Sequence, residues 1–177
     1  DPLCMTAIRR DMDRALLGNN QAKAAIDCAL FDLAAKFMKV PLNCLFGGAV
    51  RTQFPVLRIL AIKTPREMAA QAQILFDQGY RYFKIKVHGE INEDIACVRA
   101  IRKQLGDEAN LTIDANQSYS PKDAISALNG MADYRIDLVE QPVAIDDLKG
   151  LKLVTNSIPV IVEADESAGS VKEVANL

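Results

Sequence analysis

From Arg51 onward the chain alternates short apolar runs with stretches whose apolar residues recur at helical spacing. The runs predict strands at Pro55–Ile62, Tyr80–Val87, Leu111–Ala115, Ile136–Glu140 and Pro159–Ala164. Helices are predicted between them at Pro65–Gln78, Asn92–Leu105 and Asp146–Asn156, with one opened by Ser120-Pro121 and another beginning at Val171. Thr64 ahead of Pro65 reads as an N-cap, and Gly79 and Gly106 read as helix stops. Nearly all-apolar strands joined by helices imply a parallel sheet buried on both faces. The pattern by itself fits either a doubly wound sheet or a barrel.

The first 50 residues read differently. Thr6 to Phe37 is predicted as helical, with Ala25, Ile26, Ala29, Leu30, Leu33 and Phe37 at helical spacing. Ala22, Ala24, Ala25, Ala29, Ala34 and Ala35 leave room for a close neighbour. Val40-Pro41 ends the helix and Gly47-Gly48 makes a turn. The expected organisation is therefore a helical segment over 1–50 and about five βα units over 51–177.

Composition narrows the function classes. A net charge of −2 without a basic patch argues against nucleic-acid binding. No apolar run is long enough to span a bilayer, and no signal peptide precedes the fold. The chain opens at Asp1 rather than Met, which leads us to expect removed residues upstream. Cys4, Cys28, Cys44 and Cys97 form no CxxC pair, and His88 has no second histidine to join it. A thiolate zinc site is thus disfavoured. Cys28 is expected as a buried free thiol, His88 as a loop histidine, and the protein as reduced and cytoplasmic.

Charged residues recur where strands end. Lys84 and Lys86 close the second strand, Asp114 the third, Glu140 the fourth, and Asp165 follows the fifth. From Lys86 onward the gaps are 28, 26 and 25 residues, close to one strand plus its crossover helix. In a barrel, such strand ends meet at one mouth, so the barrel is preferred. Three carboxylates facing one point repel unless a divalent cation lies between them. Oxygen-only ligation favours Mg²⁺ or Mn²⁺ over zinc. Glu163, two residues deeper than Asp165, is the fallback ligand. Asn116, Gln141 and Glu166 adjoin the proposed ligands and are candidates to orient them. Lys84 and Lys86 share a strand face, and mutual repulsion is expected to lower their pKa values. Lys86, nearer the mouth, is the candidate base; Lys84 would attract a substrate carboxylate. Together these groups suit metal-assisted removal of a proton next to a carboxylate.

Several separate motifs carry a family resemblance. They are AKAAIDCALFDLAAKFMKVPLNCLFGG (Ala22 to Gly48), Lys84-Ile85-Lys86, Asp114-Ala115-Asn116, Glu140-Gln141-Pro142 and Asp165-Glu166-Ser167. In this order and spacing the chain resembles the enolase superfamily, in its mandelate racemase and muconate lactonizing branch. The K-x-K lysine and D-E-S segment look like the muconate lactonizing subgroup. The resemblance implies a (β/α)7β barrel with an α+β capping domain. It implies Mg²⁺ held by Asp114, Glu140 and Asp165, and Lys86 as acid/base. It further implies that this chain is a partial TIM-type barrel, lacking most of the capping domain, the last strands and a second catalytic lysine. Alone, the 177 residues are expected to be inactive.

The expected activity of the parent protein is abstraction of an α-proton from a small carboxylate substrate to give a metal-stabilised enolate. Racemisation or epimerisation of dipeptides or N-acyl amino acids leads. Muconate-type cycloisomerisation and succinylbenzoate-type dehydration follow, and a non-catalytic barrel is the rival from another class. A homo-oligomer is expected.

Overall fold

A computed structural model describes all residues from Asp1 to Leu177. The chain divides into two compact units, Asp1–Phe54 and Pro55–Leu177.

The first unit is a helix pair. The continuous helix predicted over Thr6 to Phe37 is instead broken into α1 (Met5–Ala15) and α2 (Asn20–Met38). The break falls where Gly18 and Asn19 take left-handed backbone angles, φ 66° and 55°. Glycine and asparagine tolerate that region best, so the Gly18-Asn19 dipeptide was the local stop signal. Ion pairs Arg9–Asp27 and Lys23–Asp13 link the two helices. Phe31 packs on Phe46, ring centres 4.8 Å apart. Cys28 is exposed, contrary to the expected buried thiol. The cause is that α2 buries only Ala34 and Ala35.

The second unit alternates strand and helix. Its elements are β1 (Leu57–Leu60), α3 (Pro65–Asp77), β2 (Tyr82–Lys86), α4 (Ile91–Leu105), β3 (Asn110–Asp114), α5 (Pro121–Gly130), β4 (Ile136–Glu140), α6 (Leu148–Ser157), β5 (Ile161–Glu163) and α7 (Val171–Val174). The first and last strands are shorter than their apolar runs because the flanking residues lack ladder partners. The predicted caps form. Thr64 and Glu67 close a reciprocal capping box on α3, and Ser120 caps α5 through the Asp123 N–H.

All strand pairs are parallel, and their spatial order is β1-β2-β3-β4-β5. That order decides between the two folds the pattern allowed. A doubly wound sheet reverses its order at a switch point, whereas a barrel winds one way. Right-handed crossovers in sequential order put every helix on one face. That face is the core: Leu60, Phe83, Ile85, Leu111, Ile113 and Val139 are buried there with Met68, Val98 and Ile101 from the helices. Truncating Phe83 to Ala would cost about 3–5 kcal/mol. The opposite face carries Lys84, Lys86, Asp114 and Glu140.

Candidate active site

Strand register assembles the mouth. Lys86 is opposite Asp114, Asp114 opposite Glu140, and Glu140 opposite Glu163. Ile85 and Val87 point to the helical core, so the two lysines share the other face. Asp114 and Glu140 are both buried. Two buried carboxylates need counter-charge. Lys84, one rung lower, reaches up between them, bonding Glu140 and lying 3.5 Å from Asp114. Lys86 donates to Asp114 at 2.6 Å and to the side-chain oxygen of Asn116.

This pairing corrects one expectation. Repulsion between the lysines does not depress Lys84: burial pulls its pKa down, but Glu140 and then Asp114 outweigh that, and the net shift is upward. Glu140 is also raised, chiefly by burial; Lys84 opposes that and the nearby Asp114 and Glu163 charges reinforce it. Lys84 is therefore a locked cation between carboxylates rather than a loosely held one.

The residues beyond the strands take up strained backbone. Asn116, Gln117 and Gln141 have φ of 42°, 68° and 37°. Such angles in non-glycine residues persist only where neighbours over-determine them. Gln141 is fully buried and uses all its hydrogen-bonding capacity. Its amide nitrogen donates to Val143 O and Ser167 Oγ; its oxygen accepts from the Asp165 and Ser167 N–H groups. Asp165 itself lies exposed beyond β5, and it does not complete a three-carboxylate group with Asp114 and Glu140. Glu163 is exposed too, in register with Glu140. Glu166 accepts a long 3.5 Å bond from Asn116, and its other carboxylate oxygen is buried without a partner.

No set of three or more His, Cys, Asp or Glu side chains is close enough to hold a metal. Two hard carboxylates do converge on a single cation, the Lys84 ammonium. That donor pair fits Mg²⁺, since oxygen ligands suit it and the ammonium already stands in for positive charge there.

Sequence reasoning missed Asp94, Gly89 and Tyr119. His88 sits on its predicted loop but pairs with Asp94 at 2.8 Å and Glu93 at 3.2 Å. Burial lowers the His88 pKa, and Asp94 and Glu93 raise it by more, so the net shift is upward. A single Asp in the first turn of a helix is ordinary, and only its burial marks it out.

Residues 67–177 match the Enolase C-terminal domain-like family, and residues 1–47 match the mandelate racemase / muconate lactonizing enzyme N-terminal domain. The chain belongs to the mandelate racemase/muconate lactonizing enzyme family of the enolase superfamily. It is 42% identical over 173 residues to the L-Ala-D/L-Glu epimerase of Clostridium acetobutylicum, covering 97% of this chain and 48% of that protein. It superposes on the dipeptide epimerase of Enterococcus faecalis, a crystal structure complexed with Mg and the dipeptide L-Leu-L-Tyr, with a TM-score of 0.94 at 40% identity. That match covers 99% of this chain and 49% of the epimerase. Muconate cycloisomerase 1 of Acinetobacter baylyi is 32% identical over 167 residues, covering 93% of this chain and 45% of that protein. The chain thus spans about half the length of the relatives it matches. For a member of this family, five sequentially ordered parallel strands are part of a TIM-type barrel.

Proposed function

We propose that the whole protein is a Mg²⁺-dependent racemase or epimerase that removes the α-proton of a carboxylate substrate, a dipeptide or an N-acyl amino acid. The observation that carries this reading is the lysine at the mouth whose tip is met by two acceptors, Asp114 and Asn116. Lys86 takes the proton as a free amine. The ammonium it becomes donates hydrogen bonds to Asp114 and Asn116, which stabilise the charge it gains. Lys84 keeps positive charge beside the same carboxylates and draws the substrate carboxylate toward Lys86.

Asp114, Glu140 and Asp165 would hold Mg²⁺, with Asn116, Gln141 and Glu166 orienting them. The ion would supply neutralisation of the charge that builds on the substrate carboxylate as the proton leaves. Gln141 would help by holding the Asp165 backbone through its side-chain oxygen.

The epimerase reading is favoured over cycloisomerisation by the higher identities, 42% and 40% against 32%. A cytoplasmic homo-oligomer belongs to the same proposal; no helix is long and apolar enough to cross a membrane. The test is loss of the α-hydrogen signal in D₂O, followed by NMR with dipeptides and N-acyl amino acids. The intact protein should exchange it and Lys86→Ala should not. Exchange from both substrate enantiomers by Lys86→Ala would remove Lys86 from its role.

A further inference from the structure

Asp94 has almost no solvent contact, at 1% exposure, and no lysine or arginine meets it. Its two oxygens collect four polar groups instead. Oδ1 accepts the His88 backbone N–H at 3.3 Å and faces His88 Nδ1 at 2.8 Å. Oδ2 accepts the Gly89 N–H at 3.0 Å and the Tyr119 hydroxyl at 2.6 Å. Asp94 stands in the first turn of α4, so its carboxylate is turned back onto the segment joining β2 to α4. That segment starts directly after Lys86. Tyr119 belongs to the segment joining β3 to α5, which starts directly after Asp114 and contains Asn116. One buried carboxylate therefore ties the continuation of the lysine strand to the continuation of the aspartate strand.

A second observation locates the same junction. Gly89 has φ +95°, and a Cβ there would lie 2.7 Å from the Ser118 carbonyl oxygen. The two segments touch backbone to backbone, and only glycine permits it. The tie extends further, because the Tyr119 N–H bonds Pro142 O at 3.1 Å, beyond β4.

The consequence falls on Lys86. The last backbone bond between the two strands is Val87 N–H to Asp114 O, at 3.1 Å. Past that rung, the β3 continuation stays bonded to β4 through Ala115 N–H to Glu140 O and Gln117 N–H to Gln141 O, but no ladder bond fixes the β2 continuation against it. A lysine is a point charge on a flexible four-carbon stem, so its aim depends on its anchor and on the acceptors at its tip. The anchor is on β2, while both acceptors, Asp114 and Asn116, are on the β3 side. Asn116 also sits in the left-handed region, which needs support from its surroundings. Its own N–H bonds Asp114 Oδ1, its neighbours Ala115 and Gln117 bond Glu140 O and Gln141 O, and Tyr119, three residues on, is the point at which this segment meets Asp94.

We infer that Asp94 is a positioning residue for Lys86: through His88, Gly89 and Tyr119 it fixes the end of β2 against the end of β3. The inference rests on the reading of Lys86 as the acid/base.

The test uses the intact protein with Asp94→Asn and Tyr119→Phe. Asp94→Asn turns an NH₂ toward groups that are themselves donors. Tyr119→Phe keeps the ring in the core and removes one hydroxyl. Two readouts are taken: amide hydrogen exchange at His88 and Gly89, and kcat and KM for α-proton exchange. In Asp94→Asn the two amides should exchange faster while β3 stays protected. Its kcat should fall about tenfold to a hundredfold, the range that a misplacement of about 1 Å produces. KM should stay within about twofold, because a reacting group has shifted rather than a binding group. Tyr119→Phe should show the same pattern more weakly, and the double variant should be no worse than Asp94→Asn alone. Freed amides with an unchanged kcat, or a raised KM with an unchanged kcat, would overturn the inference. A parent protein with no α-proton exchange would sink the functional reading separately. The amides then decide the tie: fast exchange at His88 and Gly89 in the parent overturns it, and protection lost in Asp94→Asn upholds it.

Discussion

Gln141 holds Asp165 by its backbone: the Gln141 side-chain oxygen accepts the Asp165 N–H at 3.0 Å. The same oxygen accepts the Ser167 N–H at 3.1 Å, so one buried amide spans the ends of β4 and β5. Gln141→Leu would leave these two N–H groups and the Val143 carbonyl without partners. Buried unsatisfied groups cost about 1–3 kcal/mol each, so a loss of at least about 2 kcal/mol is expected in denaturant unfolding. An unchanged midpoint would show that water replaces the amide at no cost.

Asp114 is the most connected carboxylate at the mouth, meeting Lys84 and Lys86 together. If it is also a metal ligand, Asp114→Asn should weaken Mg²⁺ binding by more than about tenfold, since a hard cation loses a charged oxygen. Calorimetric titration of the intact protein measures this without substrate. Equal binding by the parent and Asp114→Asn would exclude Asp114 from the ligand set.

His88 predicts a pH dependence with a definite sign. Its pKa is raised in the folded protein above the ordinary 6.5. The stabilisation it gives is therefore complete below about pH 6.5 and is lost as pH rises through the raised value. The ring is partly exposed, so the effect is screened and modest. Thermal melts of the parent and His88→Gln should differ most below pH 6.5 and converge above the folded value. A gap that widens with rising pH would mean that neutral imidazole is the stabilising form.

Much of the fold is legible in the sequence because its signals are local. Thr64-Pro65 and Ser120-Pro121 mark helix starts through chemistry confined to one turn. Apolar runs mark β2 to β4 because Phe83, Ile85, Leu111, Ile113 and Val139 lie against the helices; the expected burial of both faces is not seen, since the other face of β2 is only half-buried or exposed. The break at Gly18-Asn19 was also local, but the strong alanine-rich helical pattern that follows it masked it. The site divides along the same line. Lys84, Lys86, Asp114 and Glu140 meet because strand-end positions repeat once per βα unit, and a fixed spacing reads directly as a shared rim. What Asp94 does depends on where two loops cross, which no spacing encodes. The upward shift of Lys84 was equally hidden. It follows from a side chain reaching one rung up to Glu140, which depends on rotamer and burial rather than on sequence position.

Arg102 is buried at the C-terminal end of α4, and no carboxylate pairs with it there. Its guanidinium donates instead to four carbonyls: Tyr134 at 2.9 Å, Gly106 at 2.7 Å, Ala109 at 2.8 Å and Arg135 at 3.0 Å. These carbonyls belong to the turns that lead into β3 and β4. Burial holds the Arg102 pKa below the ordinary arginine value, yet the fork of five donors makes up for lost water. Arg102→Met fills similar space but leaves the carbonyls bare, and should cost about 2–4 kcal/mol. Arg102→Lys keeps the charge but cannot reach four acceptors from one point, so it should fall between the two. Because Lys86 lies at the other end of the strands, kcat measured well below the melting temperature should be unchanged in both variants. A drop in kcat without a drop in stability would mean that the two ends of the sheet are coupled, and that the turns before β3 and β4 help set the register of Asp114 and Glu140.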